Sequence, residues 1–102
     1  MLKKGLSQHL IKDKNVTDKM VRVAGLNKDD VVVEIGAGQG HLTRSIAETA
    51  RHVYAIEFDG DLLPGLETLS KVYGNVEVIH TDFLRVPLSE FKKGNPIKII
   101  GN

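Results

Sequence analysis

Apolar residues fall into two alternating rhythms along this chain. Four short runs read as strands: Val31-Val32-Val33-Glu34-Ile35, Val53-Tyr54-Ala55-Ile56-Glu57, Val76-Glu77-Val78-Ile79-His80 and Ile97-Lys98-Ile99-Ile100. The first lacks polar alternation, as expected of a strand covered on both faces. Between these runs the spacing turns helical. Leu42, Ile46 and Ala47 share one face within residues 41–50, and Leu62, Leu63, Leu66 and Leu69 point inward from a helix predicted over 59–72. Pro64 falls near that helix's first turn, where a missing N–H costs least. Upstream, Val16, Met20, Val23 and Ala24 predict a helix over 13–24, with Asp13 or Asn15 as its cap and Gly25 at the left-handed position after its end. Asp29-Asp30 forms a turn, Ser89 caps a short helical turn, and Gly94-Asn95-Pro96 delivers the last strand.

Strand alternating with helix implies an α/β fold: a parallel sheet with right-handed crossovers, helices packed on its faces, and ligands bound beyond the carboxyl ends of the strands. Gly36, Glu57, Asp82 and Asn102 each lie at or just past such an end. Four segments distant in sequence therefore converge on one rim.

The rim residues have a common chemistry. Gly36-Ala37-Gly38-Gln39-Gly40 links the first strand to a helix, and its glycines let the backbone approach a ligand beside free N–H groups. The spacing is G-x-G-x-G, since His41 stands where the third glycine of the dinucleotide pattern would fall. Glu57, 21 residues after Gly36, ends the second strand where a carboxylate can accept both hydroxyls of a ribose. Asp82 can accept from an exocyclic adenine amino group, with the Phe83 N–H available to a ring nitrogen and Phe58 placed to pack on the ring. The structural alternatives are a plain glycine turn, a surface acid at a strand end, and Asp82 as a turn or helix cap. Glu34, a carboxylate inside an apolar strand, needs partners. Loop N–H groups are the expected ones, making Glu34 first a structural organiser of the loop and only secondarily a water-mediated contact for the aminoacyl end of a cofactor. His9, His41, His52 and His80 show no ligand spacing, and no G-x-S-x-G is present, so a zinc site and a hydrolytic triad are disfavoured.

Composition narrows the class. At 102 residues and 11.2 kDa, with 41% apolar and 26% charged residues, the chain has the size and balance of one folded domain. The absence of cysteine excludes a disulfide scaffold and a thiolate site, and it fits a reducing cytoplasmic location. No apolar run approaches the roughly 20 residues that span a bilayer, so no membrane partner is expected. Net charge is +1 but uneven: residues 1–28 carry seven Lys and Arg against Asp13 and Asp18, a net of +5, and residues 29–102 carry seven against eleven, a net of −4. Lys12, Lys14, Lys19, Arg22 and Lys28 decorate the first predicted helix, either as a solvated surface or as a contact for a polyanion.

Five motifs occur in order: Ser7-Gln8-His9-Leu10-Ile11, Val33-Glu34-Ile35-Gly36-Ala37-Gly38-Gln39-Gly40-His41-Leu42-Thr43, Ala55-Ile56-Glu57-Phe58-Asp59, His80-Thr81-Asp82-Phe83 and Ile99-Ile100-Gly101-Asn102. Together they resemble the ribosomal RNA adenine N6-dimethyltransferases, the family of the small-subunit dimethyladenosine transferases and the macrolide-resistance methylases, from about Lys4 to the last residue. The resemblance implies a Rossmann-like class I methyltransferase sheet that uses S-adenosylmethionine to place two methyl groups on the N6 of an rRNA adenine. It implies cofactor contacts at His9, Ile11, Gly36, Glu57, Asp82 and Asn102, with Asn102 also at the methyl-transfer end; Gly38, Phe58 and Phe83 join this candidate cofactor set from the reading of the rim. Family members usually read G-Q-N-F-L where this chain has Ser7-Gln8-His9-Leu10-Ile11. The family's catalytic motif reads Asn-(Leu/Ile)-Pro-(Tyr/Phe), and this chain stops at its first residue. Residues 1–102 are thus expected to be the N-terminal, cofactor-binding part of such a domain: a basic segment 1–28 with a helix, then strand and helix repeats over 29–102. The sheet is expected to be truncated after strand four, the fragment inactive by itself, and the exposed strand-four edge a site of self-association. Two other readings stand beside this one: an RNA-binding module without catalysis, and the nucleotide-binding fragment of a nicotinamide dehydrogenase.

Overall fold

The structure, a computed structural model, describes residues 12–91 and 97–101. Its elements are α1 (Lys14–Val23), β1 (Val31–Ile35), α2 (His41–Thr49), β2 (His52–Glu57), α3 (Leu63–Tyr73), β3 (Val76–His80) and β4 (Ile97–Gly101), with 3-10 turns at Gly60–Leu62, Phe83–Arg85 and Leu88–Phe91. All strand pairings are parallel and the order is β3-β2-β1-β4. The chain steps from β1 outward to β2 and β3, then crosses back to place β4 on the other side of β1.

Boundaries follow local chemistry. Asp13 caps α1 by accepting from the Asn15 N–H at 2.9 Å, and Gly25 at φ 70° takes the left-handed position that ends the helix. The predicted helix over 59–72 divides into two elements. The Asp59 side chain caps a 3-10 turn by accepting from Asp61 N–H, and α3 begins after it with Pro64 in its first turn and ends at Gly74, φ 74°. Of its four leucines only Leu66 is fully buried; Leu62, Leu63 and Leu69 are half-buried. Ser89 lies within the Leu88–Phe91 turn instead of preceding it.

The main core cluster lies on one face of the sheet, and Val33 and Ile56 are buried on the other. Val32, Val53, Ala55, Val76, Val78 and Ile100 meet Val21 of α1, Leu42, Ile46 and Ala47 of α2, and Leu66 of α3. Burying each of Leu42, Ile46 and Leu66 contributes roughly 2 kcal/mol. Helices on both faces were the expectation, but α1, α2 and α3 all pack on this one. The steps from β1 to β2 and from β2 to β3 run in the same direction across the sheet, so each right-handed crossover delivers its helix to the same side. On the opposite face Tyr54 packs its ring against Phe91, centroids 4.8 Å apart, and Ile99 remains 47% exposed. Among the described residues no helix is long and apolar enough to cross a membrane.

Polar groups fix α1 and α2 to each other and to the sheet. Thr17 and Ser45 share a buried hydroxyl hydrogen bond of 2.7 Å, and Ser45 donates onward to Asp18. Lys14 bridges Asp18 and Glu48, and the Tyr73 hydroxyl donates to Glu48. The Asn75 amide donates to the carbonyls of Ala47 and Ala50, capping the end of α2.

Candidate functional site

The carboxyl ends of β1, β2 and β3 are in register. Ile35 pairs with Ile56, which pairs with Ile79, and Glu57 pairs with His80. With strands about 4.8 Å apart, the glycine loop after Ile35, Glu57 with Phe58, and Asp82 with Phe83 stand side by side along one edge. Strand order reverses between β1 and β4 at this same edge, the topological position where open α/β sheets bind ligands.

The loop is built by hydrogen bonds to β2. Gly36 and Ala37 N–H both donate to the Ile56 carbonyl, at 2.9 and 3.1 Å. Gly36, Gly38 and Gly40 have φ of 74°, 61° and 88°, so the chain coils tightly before α2. At Gly40 space adds to the requirement, because a Cβ there would lie 3.0 Å from Leu69 Cδ2 and 3.2 Å from Leu66 Cδ2. Glycine at this position lets α2 and α3 approach.

Glu57, buried at the rim, holds the loop from the other side. Its Oε1 accepts from Gly38 N–H at 2.7 Å and its Oε2 from Asp59 N–H at 2.9 Å. Each carboxylate oxygen keeps a second lone pair for another donor. Phe58, next in sequence, is 73% exposed, and its carbonyl is hydrogen-bonded to His80 Nε2 at 3.0 Å. Asp82 does act as a cap: its Oδ1 accepts from Leu84 N–H at 3.0 Å and starts the Phe83–Arg85 turn. As the first residue of that turn, Phe83 has an N–H without a partner inside it.

Glu34 departs from its expected role. The loop N–H of Gly38 goes to Glu57, and Glu34 instead accepts the Thr43 hydroxyl from the first turns of α2. It is fully buried, and its Oε2 has no hydrogen-bond partner among the described residues. Burial pushes its carboxyl up to about 7; the Thr43 hydroxyl pulls against this and the neighbouring Glu57 adds to it. Thr43 is the site residue that sequence reasoning passed over. The signal was available: a carboxylate near the end of a buried strand needs a donor, and the first turn of the following helix is the nearest element that can supply one.

His41 opens α2 with Nε2 3.2 Å from Gln39 Oε1, and burial, Arg44 and Lys12 all hold its pKa below the ordinary value. Of the sequence-predicted residues, Gly36, Gly38, Glu57, Phe58, Asp82 and Phe83 are brought to one edge. His9, Ile11 and Asn102 lie outside the described residues. A shallow cavity of about 260 Å³ between α1 and α2, lined by Asp18, Arg22 and Glu48 among others, belongs to the ion-paired helix surface and not to this rim.

Known proteins share this fold. The chain is 42% identical over 106 residues to the ribosomal RNA small subunit methyltransferase A of Shouchella clausii, a match covering 99% of this chain and 36% of that protein. The chain thus spans about a third of the length of the curated relatives it matches. Among solved structures, the 23S rRNA methyltransferase ErmE superposes with a TM-score of 0.74 at 31% identity, over 87% of this chain and 35% of that one. An RNA methyltransferase from Salinibacter ruber, solved with S-adenosyl-L-homocysteine, gives 0.67 at 29% identity over 76% and 54%. The four-stranded parallel sheet is therefore that of the Rossmann-like class I methyltransferases. The profile of the ribosomal RNA adenine dimethylase family matches residues 1–102 from end to end, and the chain belongs to that family.

Proposed function

We propose that this chain is the S-adenosylmethionine-binding part of an rRNA adenine N6,N6-dimethyltransferase. The observation that carries the reading is the 2.7 Å hydrogen bond from Gly38 N–H to Glu57. In a phosphate-binding glycine loop the N–H groups face an anion. Here the carboxylate of Glu57 already takes one of them. A pyrophosphate would meet like charge, which disfavours the nicotinamide reading, whereas a nucleoside carrying positive charge and no phosphate meets complementary groups.

The residues present fit such a group. Glu57 has lone pairs for the ribose hydroxyls, Asp82 for the adenine amino group, the Phe83 N–H serves a ring nitrogen and Phe58 offers an exposed face for packing. Glu34 Oε2, buried and orphaned, adds an acceptor that protein atoms leave unsatisfied. S-adenosylmethionine, when bound, supplies an electrophilic methyl group on a positively charged sulfur. The chain's own work is positioning: Gly36 and Gly38 admit the ligand close to the backbone, and Glu57 fixes both loop and sugar. His9 and Ile11 complete the cofactor contacts, and Asn102 orients the adenine amine, as in the family pattern.

Ribosomal RNA is the proposed partner and the cytoplasm the proposed location. The basic segment 1–28 serves the RNA through exposed Lys12, Lys19 and Arg22, while Lys14 is already paired with Asp18 and Glu48. Copies of the chain are inferred to associate through β4.

Calorimetry with S-adenosylmethionine, S-adenosylhomocysteine and NADH tests the reading. The first two are expected to bind and NADH not, with Glu57→Ala weakening both by tenfold or more. Preferential NADH binding, or undiminished affinity in Glu57→Ala, overturns it. Salt-steep RNA binding that persists without any affinity for either adenosyl ligand would leave the non-catalytic RNA-binding module.

A further inference from the structure

We propose that Glu34 is a proton-coupled positioning residue: a neutral acid while the rim holds no cation, it gives its proton to solvent when a cationic ligand settles over the glycine loop. The inference rests on the reading that this rim takes S-adenosylmethionine, and it concerns a group to which that reading gives no proton chemistry.

The geometry leaves little choice. Glu34 is fully buried in the centre of the sheet, between Ala55 of β2 and Ile100 of β4, both apolar. One oxygen accepts the Thr43 hydroxyl from α2, and the other has no partner among the described residues. An ionised carboxylate with an orphaned oxygen in such a place loses several kcal/mol of solvation that one hydroxyl cannot restore. Glu57 of β2, two residues beyond Ala55 and so on the same face, adds a repulsive field of like sign. In the first turns of α2, burial and the nearby Arg44 hold His41 toward its neutral form, and among the described residues no cation compensates Glu34. Lys98 of β4, on the same face as Ile100, directs its ammonium to Gly25 and Asp30 at the far end of the strand. Of the charges on α1, Lys14 and Asp18 pair with each other on its flank, and Lys19 and Arg22 are exposed to solvent.

With no cation paired to Glu34 among the described residues, the proton is the neutraliser. A ligand cation above the loop takes over that role: the Glu34 O–H bond breaks, the proton passes to solvent, and the carboxylate remains opposite the ligand's positive charge. Total charge in the buried site is unchanged. The loop and the buried acid thereby select for a cation, and affinity rises with pH across the range in which the empty site loses its proton.

Calorimetry of the chain with S-adenosylmethionine, repeated in buffers of different ionisation enthalpy, reads the proton count directly. At pH 7 about half a proton is expected to be released on binding, and affinity is expected to tighten about tenfold from pH 6 to pH 8. Glu34→Gln is expected to bind without that release and with that tightening removed. Should Glu34→Gln not fold, Thr43→Val serves: loss of the donor raises the proton affinity of Glu34, and the affinity-against-pH curve moves to higher pH. Binding with no proton release, or a release that persists unchanged in Glu34→Gln, overturns the inference and leaves the cofactor reading intact. Absence of S-adenosylmethionine binding at every pH overturns that reading itself.

Discussion

At the rim, Glu57, proposed above to meet the ribose, also anchors Gly38, so its loss is expected to loosen the loop even without ligand; faster amide exchange at Gly38 in ligand-free Glu57→Ala is the check. Glu34 carries a stability signature of its own. Burial raises its carboxyl from the ordinary 4.5 to about 7, so the folded chain holds this proton more tightly than the unfolded one. The stability it contributes is fully present below pH 4.5 and is lost as the pH rises through about 7. Thermal melts of Glu34→Gln are expected to show a flatter profile across that window than the parent chain, and an equal slope would count against the assignment. Glu57 and Asp82 were legible in the sequence because position at a strand end is itself a signal. Thr43 was not, since a hydroxyl on a helix face carries no periodic mark, and only the fold brings it against Glu34.

At the scale of elements, caps and close approaches decide where things begin and end. Asp13→Ala is expected to cost about 1 kcal/mol in denaturant unfolding by removing the cap of α1. Gly40→Ala is expected to cost roughly 2 kcal/mol, because the side chain meets Leu69 and Leu66 at a φ of 88° that L-residues avoid. If α2 and α3 part to relieve it, the loss is smaller and the melting transition broadens. Strand cores were readable because buried β-branched runs have few other uses. The division of 59–72 was not, because Asp59 and Pro64 each start an element, and the leucine spacing runs on through the 3-10 turn and into the helix. The hydroxyls of Thr17 and Ser45, which join α1 to α2, break the apolar stripe that periodicity looks for.

In the molecule as a whole, alternation of strand and helix announced a parallel sheet, but strand order and the side taken by each helix depend on crossovers that no local pattern records. The order places β1 centrally and leaves the outer edge of β4 without a strand neighbour among the described residues. Ile99 is half-exposed beside it. Sedimentation velocity is expected to show concentration-dependent dimers that Ile99→Lys reduces; a monodisperse monomer at high concentration would contradict the inferred pairing. One tie on β4 has a temporal meaning. The Lys98 ammonium reaches the Gly25 carbonyl and Asp30, each at 3.0 Å, joining positions 73 and 68 residues apart. A growing polypeptide therefore completes its glycine loop and its rim carboxylate, Glu57, long before this clasp can shut, so Lys98 is the last of the three joined positions to emerge.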